Sequence, residues 1–273
     1  MRVVVVDDYI EVGQTVQRAL AADGHRVTVA LSPEALEPLL DQQSFELALV
    51  DLDFGHESTL SGLAALRLLA DREVPTVVYS ADSEQSRLLF LLTAFQYHRP
   101  VGLMPKNAPS RDIRAMAAGI ADGAPGPAAA LAERYRPPAA GPSLLDGLLA
   151  GPGDLPVWRA LSQYSRREEL ARVTHRSTKW IDNFLKARHP VVEELEQRYH
   201  RRSPAGPALP PAEAGRAAAR QALIIPVCSF ARANARFFAD PEVLLLLAAR
   251  QVPAPPRHPG AGTLFGRPRR GRS

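Results

Sequence analysis

Five short runs of β-branched and aliphatic residues punctuate the first 121 residues: Val3 to Val6, His25 to Ala30, Glu46 to Val50, Thr76 to Tyr79 and Val101 to Met104. Between them the apolar spacing changes to threes and fours, as in Val12, Val16, Ala19 and Leu20, or Leu63, Leu66, Leu68 and Leu69, which is the pattern of a helix with one buried face. Ser32 followed by Pro33 marks a helix start, with a capping hydroxyl and proline at the first helical position. Strands that are apolar throughout leave neither sheet face to water. The expected fold is therefore α/β, a doubly wound five-stranded parallel sheet with helices on both sides. In such a sheet the functional site lies beyond the carboxyl ends of the strands.

Those ends carry the chemistry. The first strand runs into Asp7-Asp8, the third into Asp51, the fourth into Ser80 with Ala81 after it, and the fifth is followed by Lys106. Three carboxylates crowded onto one rim repel each other unless a hard divalent cation neutralises them, and Mg²⁺ takes carboxylate oxygens while keeping several waters. A lysine and a hydroxyl on the same rim can hold the equatorial oxygens of a transferring phosphoryl group. On this reading Asp51 is a phosphoryl acceptor.

Over residues 1–121 the sequence resembles the receiver domain of two-component response regulators, through VVVVDD, VDLDF after the third strand, YSA after the fourth and PK after the fifth. The resemblance implies that Asp51 is phosphorylated by a sensor histidine kinase, with Asp7, Asp8 and Asp51 on Mg²⁺ and Asp53 adding a backbone carbonyl. It makes Ser80 the switch hydroxyl, pairs Lys106 with the phosphoryl group and implies a flavodoxin-like strand order. Three departures stand out. Gly55 replaces a frequent proline, the loop from Asp51 to Gly62 is about three residues longer than usual, and Leu103 occupies the place of a coupling aromatic. Asp51-Leu-Asp53 also mimics the DxD of haloacid-dehalogenase-like phosphatases, but Gly55 stands where that class has a small hydroxylic residue, and Asp7-Asp8 would be left without a task. The expected role is a phosphoryl-accepting regulator and not an enzyme.

Residues 122–155 are rich in proline and glycine and read as a linker, with one short helix through Ala128 to Tyr135. Residues 156–202 read as a small all-α domain of four short helices. Pro156 opens the first, Ser165 and Glu168 have capping-box spacing for the second, Ser177 caps a third running to about Arg188, and Pro190 opens a fourth. Trp180, Ile181, Phe184 and Leu185 make the buried face of the third helix; Thr178, Lys179, Asp182, Asn183 and Lys186 fall opposite. The block resembles the helix-turn-helix output domain of NarL/LuxR-type regulators through Glu169-Leu170-Ala171, Ser177 and Trp180-Ile181. That resemblance implies DNA contacts from Thr178, Lys179, Asp182, Asn183, Lys186 and Arg188, and dimer contacts by the fourth helix. A helical module that binds protein, in an atypical regulator acting without phosphorylation or without DNA, is the alternative. Residues 203–273, rich in proline, alanine and arginine, are expected to be disordered apart from a helix across Pro241 to Gln251.

Charge divides the chain unevenly. Residues 1–120 hold 10 Lys+Arg against 16 Asp+Glu, and the remainder 23 against 13. Much of the basic excess lies in residues 203–273, where an arginine-rich stretch could add non-specific phosphate contacts. The single cysteine, Cys228, excludes an internal disulfide and a multi-cysteine zinc site. The apolar run Val243 to Ala249 falls well short of the roughly 20 residues a spanning helix needs. With no targeting segment before the first strand, a cytoplasmic protein is expected.

Overall fold

The apolar runs become one parallel sheet in the computed structural model, which describes residues 1–55, 58–80, 87–123, 126–200 and 216–251. Its strands are β1 (Arg2–Val6), β2 (Arg26–Ala30), β3 (Leu47–Val50), β4 (Thr76–Ser80) and β5 (Gly102–Pro105), each within two residues of its sequence bounds. Their order is β2-β1-β3-β4-β5, the flavodoxin-like arrangement. Val6 of β1 lies beside Val50 of β3, so the next residues, Asp7 and Asp51, leave the sheet side by side.

Helices α1 (Ile10–Ala21) and α5 (Ser110–Ala121) cover one face of the sheet. On the other face lie α2 (Pro33–Gln42), α3 (Gly62–Ala70) and α4 (Leu88–Thr93), the last continued by a π-turn over Ala94–His98. The Ser32 hydroxyl caps α2 as its sequence predicts, accepting from the Ala35 amide at 3.2 Å. Along the edge strand β5 packs α6 (Pro127–Glu133), whose approach requires Gly102. A Cβ there would stand 2.7 Å from that of Ala128.

Two expectations drawn from composition are corrected. The 122–155 stretch, read as a linker with one helix, contains α6 and also α7 (Leu144–Leu148), and it buries Leu145, Leu148 and Leu149 in the core. The stretch read as disordered from residue 203 contains α11 (Arg216–Ala233) and α12 (Ala235–Ala239) before the expected helix, α13 (Pro241–Gln251). Composition averaged over 71 residues hid an apolar middle. Val227, Phe230, Phe237, Phe238, Val243 and Leu247 are all buried. Residues 203–215 and 252–273, Ala81 and His56 lie outside the described residues.

Between these segments run α8 (Leu155–Gln163), α9 (Arg167–Val173) and α10 (Thr178–His200). The predicted third and fourth helices are one. Although Pro190 cannot donate to the helix ladder, the stripe Ile181, Phe184, Leu185, Val192 and Leu195 stays buried along α10, and that packing carries the helix through the proline. Trp158 of α8 is the hub. Its ring stacks on Phe238 at 4.8 Å and meets Phe184 and Phe230 edge-on at 5.6 and 5.9 Å. The same apolar core continues through Phe237, which meets Phe90 of α4 at 5.2 Å, and so joins the helical block to the α2–α4 face of the sheet.

Candidate functional site

Asp7 and Asp51 are buried where β1 and β3 end, each tied to the ladder by its own amide: Asp7 donates to the Ala30 carbonyl at 3.0 Å and Asp51 to that of Val6 at 2.9 Å. The Tyr9 amide donates to Asp7 Oδ1 at 3.0 Å, the Leu52 amide to Asp51 Oδ1 at 2.8 Å and the Gly55 amide to Asp8 Oδ2 at 2.8 Å. Lys106, after β5, spans the two buried carboxylates, its Nζ 2.8 Å from Asp51 Oδ2 and 2.7 Å from Asp7 Oδ2. Its stem is positioned from both ends, because its amide donates to the Ser80 carbonyl at 3.1 Å and its carbonyl accepts from the Tyr79 hydroxyl at 3.1 Å. Beneath Asp51, α3 starts in contact with the backbone. A Cβ on Gly62 would stand 1.9 Å from the Asp51 carbonyl oxygen, so only glycine fits there.

Burial pushes the Asp51 carboxyl above its ordinary range against the pull of Lys106 and Arg87, and it does the same to Asp7 against the pull of Lys106. Burial alone would lower the Lys106 ammonium, but Asp51 and Asp7 outweigh it and raise its pKa, so that the lysine stays charged.

The cation fit can be tested on the donor set. Asp7, Asp8 and Asp51 each bring a carboxylate oxygen within 4.8 Å of the others, and Asp8 Oδ1 is buried and, among the described residues, without a hydrogen-bond partner. An all-oxygen set with an unsatisfied carboxylate suits a hard cation such as Mg²⁺. The Asp53 side chain is engaged elsewhere. It pairs with Arg236 through Oδ1, and its Oδ2 lies 3.9 Å from Arg87 Nε.

Sequence reasoning missed two residues here, Arg87 and Arg236. Arg87, just before α4, donates from Nη1 to Asp51 Oδ1 at 2.9 Å and to the Ser80 hydroxyl at 3.0 Å. Arg236 of α12 donates from Nη2 to the Gly55 carbonyl at 3.1 Å besides pairing with Asp53. Arg87 follows a stretch of sequence with no periodic signal, and Arg236 lies 183 positions from its partner in a stretch dismissed on composition. No local pattern points to either.

In the helical block, α9 ends at Val173, His175 with its φ of 54° makes the sharp turn that follows, and the Ser177 hydroxyl caps α10 by accepting from the Trp180 amide at 3.1 Å. The predicted Ser165–Glu168 capping box does not form. Arg166 stands at the N-cap, and Glu168 pairs with Arg167 at 2.7 Å instead. Thr178, Lys179, Asn183 and Lys186 are exposed along one side of α10. Asp182 is half-buried and paired with Arg167 at 3.3 Å. Arg188 does not join that exposed row. It is half-buried, paired with Asp154 at 2.9 Å and laid over the Phe184 ring at 5.2 Å, because its position on α10 faces the start of α8.

No protein-family model and no curated protein matches the chain. Among solved structures it is similar to the RcsB response regulator of Salmonella typhimurium, at 18% identity over 70% of this chain and 91% of that one, with a TM-score of 0.41. A second structure of RcsB, from Salmonella enterica serovar Typhimurium and bound to promoter rprA in the presence of the phosphomimetic BeF3-, aligns at 17% identity over the same shares with a TM-score of 0.43. The receiver domain of NtrX from Brucella abortus aligns at 20% identity over 42% of this chain and 94% of that domain, with a TM-score of 0.38. The likeness is thus to response regulators and their receiver domains. Among the described residues, no helix is long and apolar enough to cross a membrane.

Proposed function

We propose that the chain is a response regulator: a sensor histidine kinase passes a phosphoryl group to Asp51, and the change at the strand ends alters how α9 and α10 present themselves to DNA. The observation that carries this reading is the grouping of Asp7, Asp8 and Asp51 at the ends of β1 and β3 with Lys106 bridging two of them. An Asp51 carboxylate oxygen attacks the phosphorus, and the bond from phosphorus to the donor breaks with its electron pair leaving on the donor. Asp7 and Asp8, with Asp51 and the Asp53 backbone carbonyl, would hold Mg²⁺, which when bound supplies positive charge against the carboxylates and the phosphoryl oxygens. Lys106 counters charge on the same oxygens, and Ser80, on the rim between β4 and Arg87, is the hydroxyl that follows the new group. On the output side Thr178, Lys179, Asn183 and Lys186 are the exposed candidates for base and phosphate contacts, in a dimer that would set two such helices on successive half-sites. Asp182 and Arg188 are held in ion pairs and would reach DNA only by leaving them.

Acetyl phosphate and Mg²⁺ added to the intact chain, followed by mass spectrometry, test the first step. One phosphoryl adduct is expected on the wild type and none on Asp51→Asn; an adduct count unaffected by that substitution defeats the acceptor assignment. Selection of bound sequences from random DNA tests the second. A recovered motif that Asn183→Ala relaxes supports DNA reading, and recovery of no motif favours the alternative of signalling through protein contacts. That alternative has its own support, since both oxygens of Asp51 are already met by cations.

A further inference from the structure

Ser80 and Lys106 leave one charged group of the rim unexplained. Arg87 is buried against the acceptor, its side chain only 11% exposed, and its Nη1 bridges Asp51 Oδ1 and the Ser80 hydroxyl at 2.9 and 3.0 Å. We propose that Arg87 is a phosphoryl-binding residue, gripping the oxygens of the group that Asp51 accepts; this rests on the acceptor reading above.

Geometry comes first. A phosphorus bonded to an Asp51 oxygen must sit over the rim between the carboxylate, Ser80 and Lys106, and Arg87 Nη1 already touches two of those three. Lys106 holds Oδ2, so the two cations approach the carboxylate from different oxygens and would flank the incoming group. A guanidinium suits this task better than a second ammonium. Its planar fork offers five donors, so it can keep one bond to the acceptor oxygen while turning others to equatorial phosphoryl oxygens.

Charge balance points the same way. Once Asp51 is phosphorylated, the rim holds Asp7, Asp8 and a group carrying about −1.5 to −2. Mg²⁺, when bound, and Lys106 offset part of that; Arg236 is engaged by Asp53, and among the described residues Arg87, already paired with Asp51, is the other cationic side chain on the acceptor. At such low exposure salt screens these terms weakly. The transfer itself is the one written above: with acetyl phosphate, the Asp51 oxygen–phosphorus bond forms as the phosphorus–acyl oxygen bond breaks, and acetate leaves with the electron pair. Arg87 contributes no proton. It stabilises charge on the equatorial oxygens as they pass from donor to acceptor.

The competing explanation is that Arg87 only neutralises a buried Asp51 and must be expelled when phosphate arrives. The two are separated by labelling the intact chain with acetyl phosphate and following the adduct by mass. If Arg87 binds phosphoryl oxygens, Arg87→Ala slows labelling by about a hundredfold, the loss typical of one missing transition-state donor, and Arg87→Lys recovers part of it. Binding of beryllofluoride, followed by fluorine NMR, gives a readout without turnover and should weaken in the same order. Should the alanine variant fail to fold, Arg87→Gln, which keeps the planar shape without the charge, takes its place under the same criteria. Labelling and beryllofluoride binding at or above wild-type levels in the uncharged variant would overturn the proposal while leaving Asp51 as the acceptor. A wild-type chain that acquires no adduct at Asp51 removes the acceptor reading, and this one with it.

Discussion

His98 ends the π-turn after α4 with its Nε2 buried and, among the described residues, without a hydrogen-bond partner. Burial holds the imidazole neutral, with its pKa pushed down to about 4; the nearby Arg67 guanidinium adds to this and Asp71 opposes it. In the unfolded chain the same ring takes up its proton near the ordinary value of about 6.5. Its contribution to stability is therefore complete above that pH and is lost as the pH falls toward 4. Between pH 7 and pH 5 the loss should be roughly 2 kcal/mol. Urea melts of wild type and His98→Gln at the two pH values measure it: the wild type should lose that much more than the variant, and equal losses refute the assignment. The comparison also removes Asp7 and Asp51, whose raised carboxyl pKa values act in the opposite direction in both proteins. At this scale the strand-end acids were legible in advance, because an apolar run that stops at Asp7 or Asp51 tells where its strand stops. Arg87 was not, since the sequence before it has no period from which to count.

Among the elements, the strands and α1 to α3 follow directly from spacing, whereas the short helices depend on partners far along the chain. Helix α7 is five residues long and would not persist alone. A reciprocal cap holds it. Ser143 Oγ accepts from the Asp146 amide and Asp146 Oδ2 accepts from the Ser143 amide, both at 3.0 Å, and the same hydroxyl donates to Gln96 Oε1 of the π-turn at 2.7 Å. Ser143→Ala should cost about 1–2 kcal/mol in urea unfolding, since it removes the cap and the bond across to Gln96 together. A cost near zero would mean that the buried leucines hold α7 unaided. The failure of the Ser165–Glu168 box is instructive beside this success: Glu168 has Arg167 as neighbour, and the ion pair draws the carboxylate away from the helix start. Spacing shows that a cap is possible; which donor the acid takes depends on what else is within reach.

Across the whole molecule, the C-terminal helices are bound to the sheet domain by more than apolar contact. Glu242 of α13 is only 2% exposed, and Arg67 of α3 donates to it from Nε at 2.8 Å. Arg250 pairs with Asp146 at 2.6 Å, and Arg159 of α8 donates to the Phe238 carbonyl at 2.7 Å. Arg67→Ala strands a buried carboxylate and should destabilise the chain by about 3 kcal/mol, while Glu242→Gln costs much less. Thermal or urea unfolding decides it, and equal costs would show that Glu242 is not relying on its partner. Composition could not anticipate this assembly, because Phe230 and Phe238, which pack onto Trp158, and Glu242 all lie in a stretch whose average is dominated by proline, alanine and arginine.

Helix α4 lies where the two halves of the core meet, and every residue from Leu88 to Thr93 is buried. A lever needs clearance to swing, and this one has none. A disturbance at Asp51 reaches Arg87 and then a segment clamped on all sides, with Phe90 set against Phe237. If the strand ends signal to the helical block as proposed, what passes toward Trp158 is pressure through a solid, with no arm sweeping through solvent. On the proposed function, the exposed side of α10 would be retuned by small shifts in a tightly fitted stack, and any variant that loosens the stack should blunt the response to phosphorylation even where it leaves the acidic rim untouched.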